Sequence, residues 1–186
     1  MRARTWWTAV VVAVLAVAAA GCGDDGGDGD AAPEPPPDAG GLVVTSTAFA
    51  DGDPVPQRHT CDGDDVSPPL AFEGVPDATA ELALVVRDPD ADGFVHWVVA
   101  GLPPEATELA EGDLPPGAVE ADNGFGEPGW AGPCPPEGDH TYAFTLYALE
   151  EPSGIGAGDE ADEAAAAVES APAAATATLR GTYERP

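Results

Sequence analysis

The sequence contains no lysine, and its six basic residues, all arginine, stand against 34 acidic residues. Proteins that bind nucleic acid through their own surface neutralise its phosphates with clustered Lys and Arg. The formal net charge of -28 at pH 7 therefore excludes nucleic acid as a partner of this kind. It also excludes electrostatic adhesion to anionic lipid, because such membranes attract basic segments.

The sequence also lacks an apolar run of the ~20 residues that a membrane-spanning helix needs. Its longest run covers residues 6–20 and is interrupted only by Thr8. Arg2 and Arg4 precede this run and small residues follow it, a pattern typical of an export signal. The motif AAGC at residues 19–22 resembles the lipobox of bacterial lipoproteins. We therefore predict a signal peptide over residues 1–22 with lipid on Cys22, and an uncleaved membrane anchor is the alternative.

Residues 23–41 contain no large apolar side chain and are rich in Gly, Pro and Asp. Nothing in this stretch offsets the entropy that a chain loses on ordering, so it is predicted to be a disordered acidic tether. A calcium loop is a weaker alternative, because the Glu that closes an EF-hand is missing. The predicted location is the extracytoplasmic side of the cell membrane, with residues 42–186 as the folded domain.

Residues 42–186 are predicted to be mainly β. Segments rich in β-branched or aromatic residues, bounded by Pro, Gly or Asp, predict strands; they cover residues 42–47, 81–87, 94–99, 141–149 and 175–183. One Ala-rich segment, residues 159–171, predicts a helix that ends before Pro172. The stretch 101–138 is predicted to be mostly loop, and long loops are often functional.

Two cysteines, Cys61 and Cys134, lie in this domain. Export would place them in an oxidising compartment, where a pair tends to form a disulfide. Two free thiols are one alternative, and a zinc site with nearby His59 is another. The absence of a CxxC pair disfavours zinc.

Three polar residues lie at or near predicted strand ends: Asp88, His96 and His140. By strict alternation Asp88 shares a face with Val86, and His96 shares a face with Phe94 and Val98. His140 likewise shares a face with Tyr142. If these faces lie on one side of one sheet, the three side chains converge. The alternative is that each is a separate, satisfied polar group in a turn or in the core.

Several ordered motifs resemble those of the phosphatidylethanolamine-binding protein family, and above all its bacterial branch that is similar to Raf kinase inhibitor protein. They are DPD at 88–90, HWVV at 96–99, GPCPP at 132–136, GDHTY at 138–142 and LRGTY at 179–183. The resemblance covers residues 42–185. It implies a β-sandwich with Greek-key connections, one short C-terminal helix, and a pocket for phosphate or a phosphoethanolamine headgroup.

By motif, the resemblance implies a particular set of pocket residues: Asp88, His96, Pro133 and His140, with Tyr142 and Trp97 nearby. Imidazole and backbone N–H groups can donate hydrogen bonds to phosphate oxygens. Two departures from the family motifs concern this pocket. Thr141 stands where the family has arginine, and Asp92 stands where it has proline.

The sequence favours a binding protein over an enzyme, with no cofactor and no metal site expected. A serine hydrolase of the GxSxG type is excluded, because none of the serines lies in that motif. The predicted function is binding of a small anionic or zwitterionic ligand by an exported, lipid-anchored protein. The alternative is a protein-interaction module, with a vestigial pocket, that modulates a kinase, a protease or an envelope partner.

Overall fold

The computed structural model describes residues 41–186. The predicted signal peptide, the lipidated Cys22 and most of the tether lie outside the described residues, so they stay predictions. The elements, in chain order, are β1 Val43–Thr45, β2 Leu70–Glu73, β3 Glu81–Asp88, β4 Phe94–Leu102, β5 Glu108–Leu109, β6 Val119–Glu120, β7 Asp139–Leu149, α1 Ala161–Ser170 and β8 Ala173–Glu184. The five predicted strands coincide with β1, β3, β4, β7 and β8.

The strands form two antiparallel sheets. The larger sheet has the order β6-β4-β3-β7-β8, and the smaller sheet has the order β1-β2-β5. β3 lies between β4 and β7, although β5, β6 and a long loop separate β4 from β7 in the sequence. Such returns after a long connection are a feature of Greek-key topology. Two packed sheets with one short helix confirm the predicted fold class.

The larger sheet is buried on both faces at its centre. Leu82, Leu84 and Val86 of β3 belong to the core between the sheets, together with Phe72 of the smaller sheet. Alternate residues of β3, such as Val85, belong to a second cluster beneath α1. A strand with apolar contacts on both faces has a continuous apolar sequence. This explains why β3 has a run of apolar residues without alternation.

Helix α1 covers the outer face of the larger sheet with small side chains. Its buried residues follow helical spacing: Ala161, Ala164, Ala165 and Val168. The Glu160 carboxylate accepts a hydrogen bond of 3.0 Å from the Glu163 amide and caps the first turn. Ala171 is extended and Pro172 follows it, so the helix ends where the sequence predicted.

The long stretch between β4 and β7 is mostly loop, as predicted. It contains only the two-residue strands β5 and β6. Within residues 41–186, no helix has both the length and the apolar character needed to cross a membrane.

Candidate functional site

The polar residues of the candidate site meet where β3 ends. β4 and β7 both run antiparallel to β3, so their first residues lie beside its last residues. Asp88 pairs with Phe94 across β3 and β4, and Arg87 pairs with Ala143 across β3 and β7. This topology brings together three side chains that are distant in the sequence, namely those of Asp88, His96 and His140.

A β-bulge in β4 decides where His96 points. Val86 pairs with Trp97 and Arg87 pairs with Val95, so His96 is an extra residue in the ladder. A bulge of this kind re-aims side chains and is common beside functional sites. His96 faces the cavity with Phe94, as predicted, but Val98 belongs to the cluster beneath α1 on the other face. The predicted shared face of His96 and Val98 is therefore wrong, because strict alternation assumes a regular ladder.

Asp88 is buried and organises the turn that follows β3. Its Oδ1 accepts hydrogen bonds from the backbone amides of Asp90 at 2.9 Å and Ala91 at 3.1 Å. Its Oδ2 accepts a hydrogen bond of 2.7 Å from Nδ1 of His140. The carboxylate thereby fixes the ring orientation of His140 and leaves Nε2 of that ring for other contacts.

His96 is held by the backbone of the long loop. Its Nδ1 donates to the carbonyl of Ala131 at 2.6 Å, and the Ala131 amide donates to the His96 carbonyl at 3.0 Å. Burial lowers the pKa of His96 below its ordinary value, despite the opposing effects of the Ala131 carbonyl and the Asp88 charge. The neutral ring carries its proton on Nδ1, so Nε2 is an acceptor.

Tyr142 is fully buried, and its hydroxyl makes no well-formed hydrogen bond among the described residues, although the Asp88 carboxylate and the Cys134 backbone lie near it. Its ring makes an edge contact with His96, with 5.1 Å between the ring centroids. Burial and, secondarily, the negative charge of Asp88 raise the pKa of Tyr142 far above its ordinary value. The hydroxyl therefore stays protonated and keeps a free donor within the site.

These side chains line a cavity of about 170 Å³. Its polar lining residues are Asp88, His96, His140 and Tyr142. The other lining residues are Ala91, Phe94, Phe125, Cys134, Pro135 and Pro136. No arginine is among the described residues that line it, consistent with Thr141 at the position of the family arginine. The Thr141 amide donates instead to Asp90 Oδ2 at 2.8 Å.

The structure does not bring Pro133 and Trp97 into this cavity. Pro133 is buried, and its carbonyl accepts a hydrogen bond of 3.2 Å from the Cys61 amide. Trp97 lies in the core between the sheets and donates from Nε1 to Glu120 at 2.6 Å. It lines a separate cavity of about 550 Å³, together with Glu120 and Trp130. Pro135 and Pro136, from the same motif as Pro133, supply the proline surface of the smaller cavity.

Cys61 and Cys134 form a disulfide, which excludes the free-thiol and zinc alternatives for this pair. Cys134 lines the small cavity, so the disulfide ties one cavity wall to the loop that contains Cys61. Across residues 41–186, no group of three or more His, Cys, Asp or Glu side chains is placed to hold a metal ion.

Phe125 is one of the lining residues that reasoning from the sequence missed. It lies in the long loop, 31 residues after Phe94, and no motif marks it. The available signal was the pair of glycines around it, Gly124 and Gly126, which indicates a tight turn.

Comparisons with known proteins agree with this architecture. The family model described as phosphatidylethanolamine-binding protein matches residues 45–184. A UPF0098 protein of Methanothermobacter thermautotrophicus is 48% identical over 110 residues, which cover 55% of this chain and 73% of that protein. A Mycobacterium tuberculosis protein named "Putative lipoprotein LppC" is 44% identical over 147 residues, covering 77% of this chain and 72% of that protein.

Solved structures give the same result. The crystal structure of Escherichia coli YbcL, described as a member of the mammalian PEBP family, superposes with a TM-score of 0.73. It is 31% identical, and the match covers 78% of this chain and 99% of YbcL. Because the family model matches most of the chain and these relatives are similar over most of their own length, the chain belongs to the phosphatidylethanolamine-binding protein family.

Proposed function

We propose that the cavity at the end of β3 binds a small anionic or zwitterionic group, such as phosphate or phosphoethanolamine, without chemical turnover. The observation that carries the proposal is the Tyr142 hydroxyl, which is fully buried and unpartnered beside two histidines. A buried hydroxyl without a partner costs about 1–3 kcal/mol. A ligand oxygen that accepts from this hydroxyl removes that cost.

The two histidines can complete the binding of an anion. His140 donates from Nδ1 to the Asp88 carboxylate, and His96 donates from Nδ1 to the Ala131 carbonyl, so Nε2 of each ring is left for the ligand. Nε2 of His96 becomes a donor when that ring is protonated. Anion binding is therefore expected to be coupled to proton uptake, and to strengthen as the pH falls.

The side chains around the cavity favour binding over catalysis. The sulfur of Cys134 is in the disulfide, so it is not a free nucleophile. The lining residues include no serine, threonine or lysine that the histidines could activate. This composition supports a binding role, which we propose for the chain as a whole.

Isothermal titration calorimetry of the full-length protein with inorganic phosphate and with phosphoethanolamine tests this function. We expect saturable heat with at least one ligand, and loss of that heat in His140→Ala and in Tyr142→Phe. Tyr147→Phe is the matched control, because it removes a hydroxyl from the same strand on the face away from the cavity. Absence of heat at millimolar ligand overturns the proposal and favours the protein-interaction alternative.

We also propose that the protein is exported and anchored by lipid on Cys22. The lipobox-like motif and the name of the mycobacterial relative support this localisation. Metabolic labelling with a radioactive fatty acid in a bacterial host should label the protein, and Cys22→Ala should abolish the label. Equal labelling of the variant contradicts the proposal.

A further inference from the structure

The mouth of the cavity carries an apolar side chain that is exposed to solvent. Phe125 is 66% exposed and is the one exposed large hydrophobic residue among residues 41–186. It lines the cavity that contains the two histidines and Tyr142. A single exposed apolar residue on a protein surface is ordinary. Phe125 differs from such residues in two ways. It lies at the mouth of a cavity, and the loop holds it in that position.

The turn that presents Phe125 is fixed by a buried side chain. Asn123 is 4% exposed, and its Oδ1 accepts hydrogen bonds from the amides of Phe125 at 2.9 Å and Glu127 at 3.4 Å. Its Nδ2 donates to the Gly129 carbonyl at 3.1 Å. A side chain that bonds the amide of Phe125 and the backbone that follows it restricts the freedom of Phe125, so less entropy is lost when a ligand contacts it.

Phe125 also continues a series of aromatic contacts that leads to the floor of the cavity. Its ring centroid lies 4.8 Å from that of Phe94, and Phe94 lies 4.9 Å from His96. Gly124 permits this packing, because a Cβ there would lie 2.5 Å from the Phe94 ring. The loop is thus fitted closely against Phe94, and Phe125 occupies a defined position.

Polarity changes along the cavity. Tyr142, His96 and Asp88 are at most 4% exposed, so the polar groups form the floor, whereas Phe125 forms the mouth. The volume of about 170 Å³ is close to that of an apolar cavity that holds one benzene molecule, about 150 Å³. A cavity of this volume cannot hold both a phosphate and a benzene ring. If the phosphate lies on the floor, an attached ring would therefore lie at the mouth.

We propose that the ligand is an anion that carries an apolar, aromatic substituent, such as an aryl phosphate, and that Phe125 determines this preference. The phosphate occupies the polar floor, and the ring packs against Phe125 and the faces of Pro135 and Pro136. Aromatic pairs are stabilised by offset or edge contacts beyond the burial of area. This inference rests on the proposed function, since it requires an anion on the floor.

Calorimetric titration of the full-length protein with three probes tests the inference. The probes are inorganic phosphate, phenyl phosphate and hexyl phosphate. Comparison of the last two distinguishes an aryl substituent from an alkyl substituent such as that of a lipid. Phenyl phosphate should bind about threefold to tenfold more tightly than inorganic phosphate. Phe125→Ser should bring the ratio of the affinity for phenyl phosphate to that for inorganic phosphate close to one, whereas Phe125→Tyr should retain the advantage.

The outcomes separate the inference from the function on which it rests. Equal binding of inorganic and phenyl phosphate, or an advantage that survives in Phe125→Ser, overturns the role of Phe125 and leaves the anion site intact. Hexyl phosphate that binds as tightly as phenyl phosphate overturns the aromatic preference. Failure of all three probes and of phosphoethanolamine to bind overturns the proposed function itself. Thermal unfolding of Phe125→Ser should match that of the unaltered protein, because the side chain is exposed.

Discussion

Replacement of Tyr142 by phenylalanine is expected to stabilise the protein while weakening its binding of ligand. The substitution removes only the hydroxyl, and the ring remains fully buried between His96 and the core. In most proteins the loss of a buried tyrosine hydroxyl removes a hydrogen bond worth about 1 kcal/mol. Here the hydroxyl makes no well-formed hydrogen bond, so its removal relieves part or all of a desolvation penalty of about 1–3 kcal/mol.

The free energy of unfolding of Tyr142→Phe should therefore rise by about 1 kcal/mol or more. In a domain of this size, a change of 1 kcal/mol shifts the Tm by about 3 °C. Ligand affinity should change in the opposite direction. A hydrogen bond to a charged group contributes about 1.5–3 kcal/mol, so the affinity for phosphate should fall about 10- to 100-fold.

Urea unfolding at neutral pH without ligand measures the first effect, and calorimetric titration measures the second. Tyr147→Phe should leave both within about 0.5 kcal/mol, as is usual away from such features. If Tyr142→Phe is destabilised by 1 kcal/mol or more, the hydroxyl has a partner in the free protein. That result would refute the reasoning from an unpartnered donor.

Two further predictions concern pH and the disulfide. Burial lowers the pKa of His96 in the folded protein. Once the pH falls below about 6.5, the unfolded chain therefore binds more protons than the folded chain. The free energy of unfolding should decrease as the pH falls from 7 to 5. His96→Asn, whose amide can still donate to Ala131, should show a shallower decrease in urea unfolding; an identical decrease in both proteins contradicts the assignment. Cys61 and Cys134 are 73 residues apart, and the chain-entropy model gives a stabilisation of about 4 kcal/mol for a loop of this length. Cys61→Ser/Cys134→Ser should lose this stability in urea unfolding, whereas a loss below about 1 kcal/mol would show that the native contacts alone hold the two loops together.

The sequence by itself predicted the five strands β1, β3, β4, β7 and β8 and the helix, and it named four of the residues that line the candidate cavity, Asp88, His96, His140 and Tyr142. Continuous apolar runs marked the central strands of the larger sheet, and an Ala-rich segment before Pro172 marked the one α-helix of residues 41–186. The spacing of His140 and Tyr142 already placed both on one face of β7, since that strand pairs regularly with its neighbour β3. Local patterns carry this information because they arise from the residues' own backbone preferences and burial.

Within each motif, only the tertiary structure decided which of several adjacent residues reaches the cavity. One extra residue in β4 points both His96 and Trp97 away from α1, with His96 at the cavity and Trp97 in the core. Alternation along a sequence cannot reveal an inserted residue, because a bulge is defined by the strand opposite. The same holds for the contact of Phe125 with Phe94 and for the unpartnered Tyr142 hydroxyl, since both depend on how the long loop packs over the strand ends.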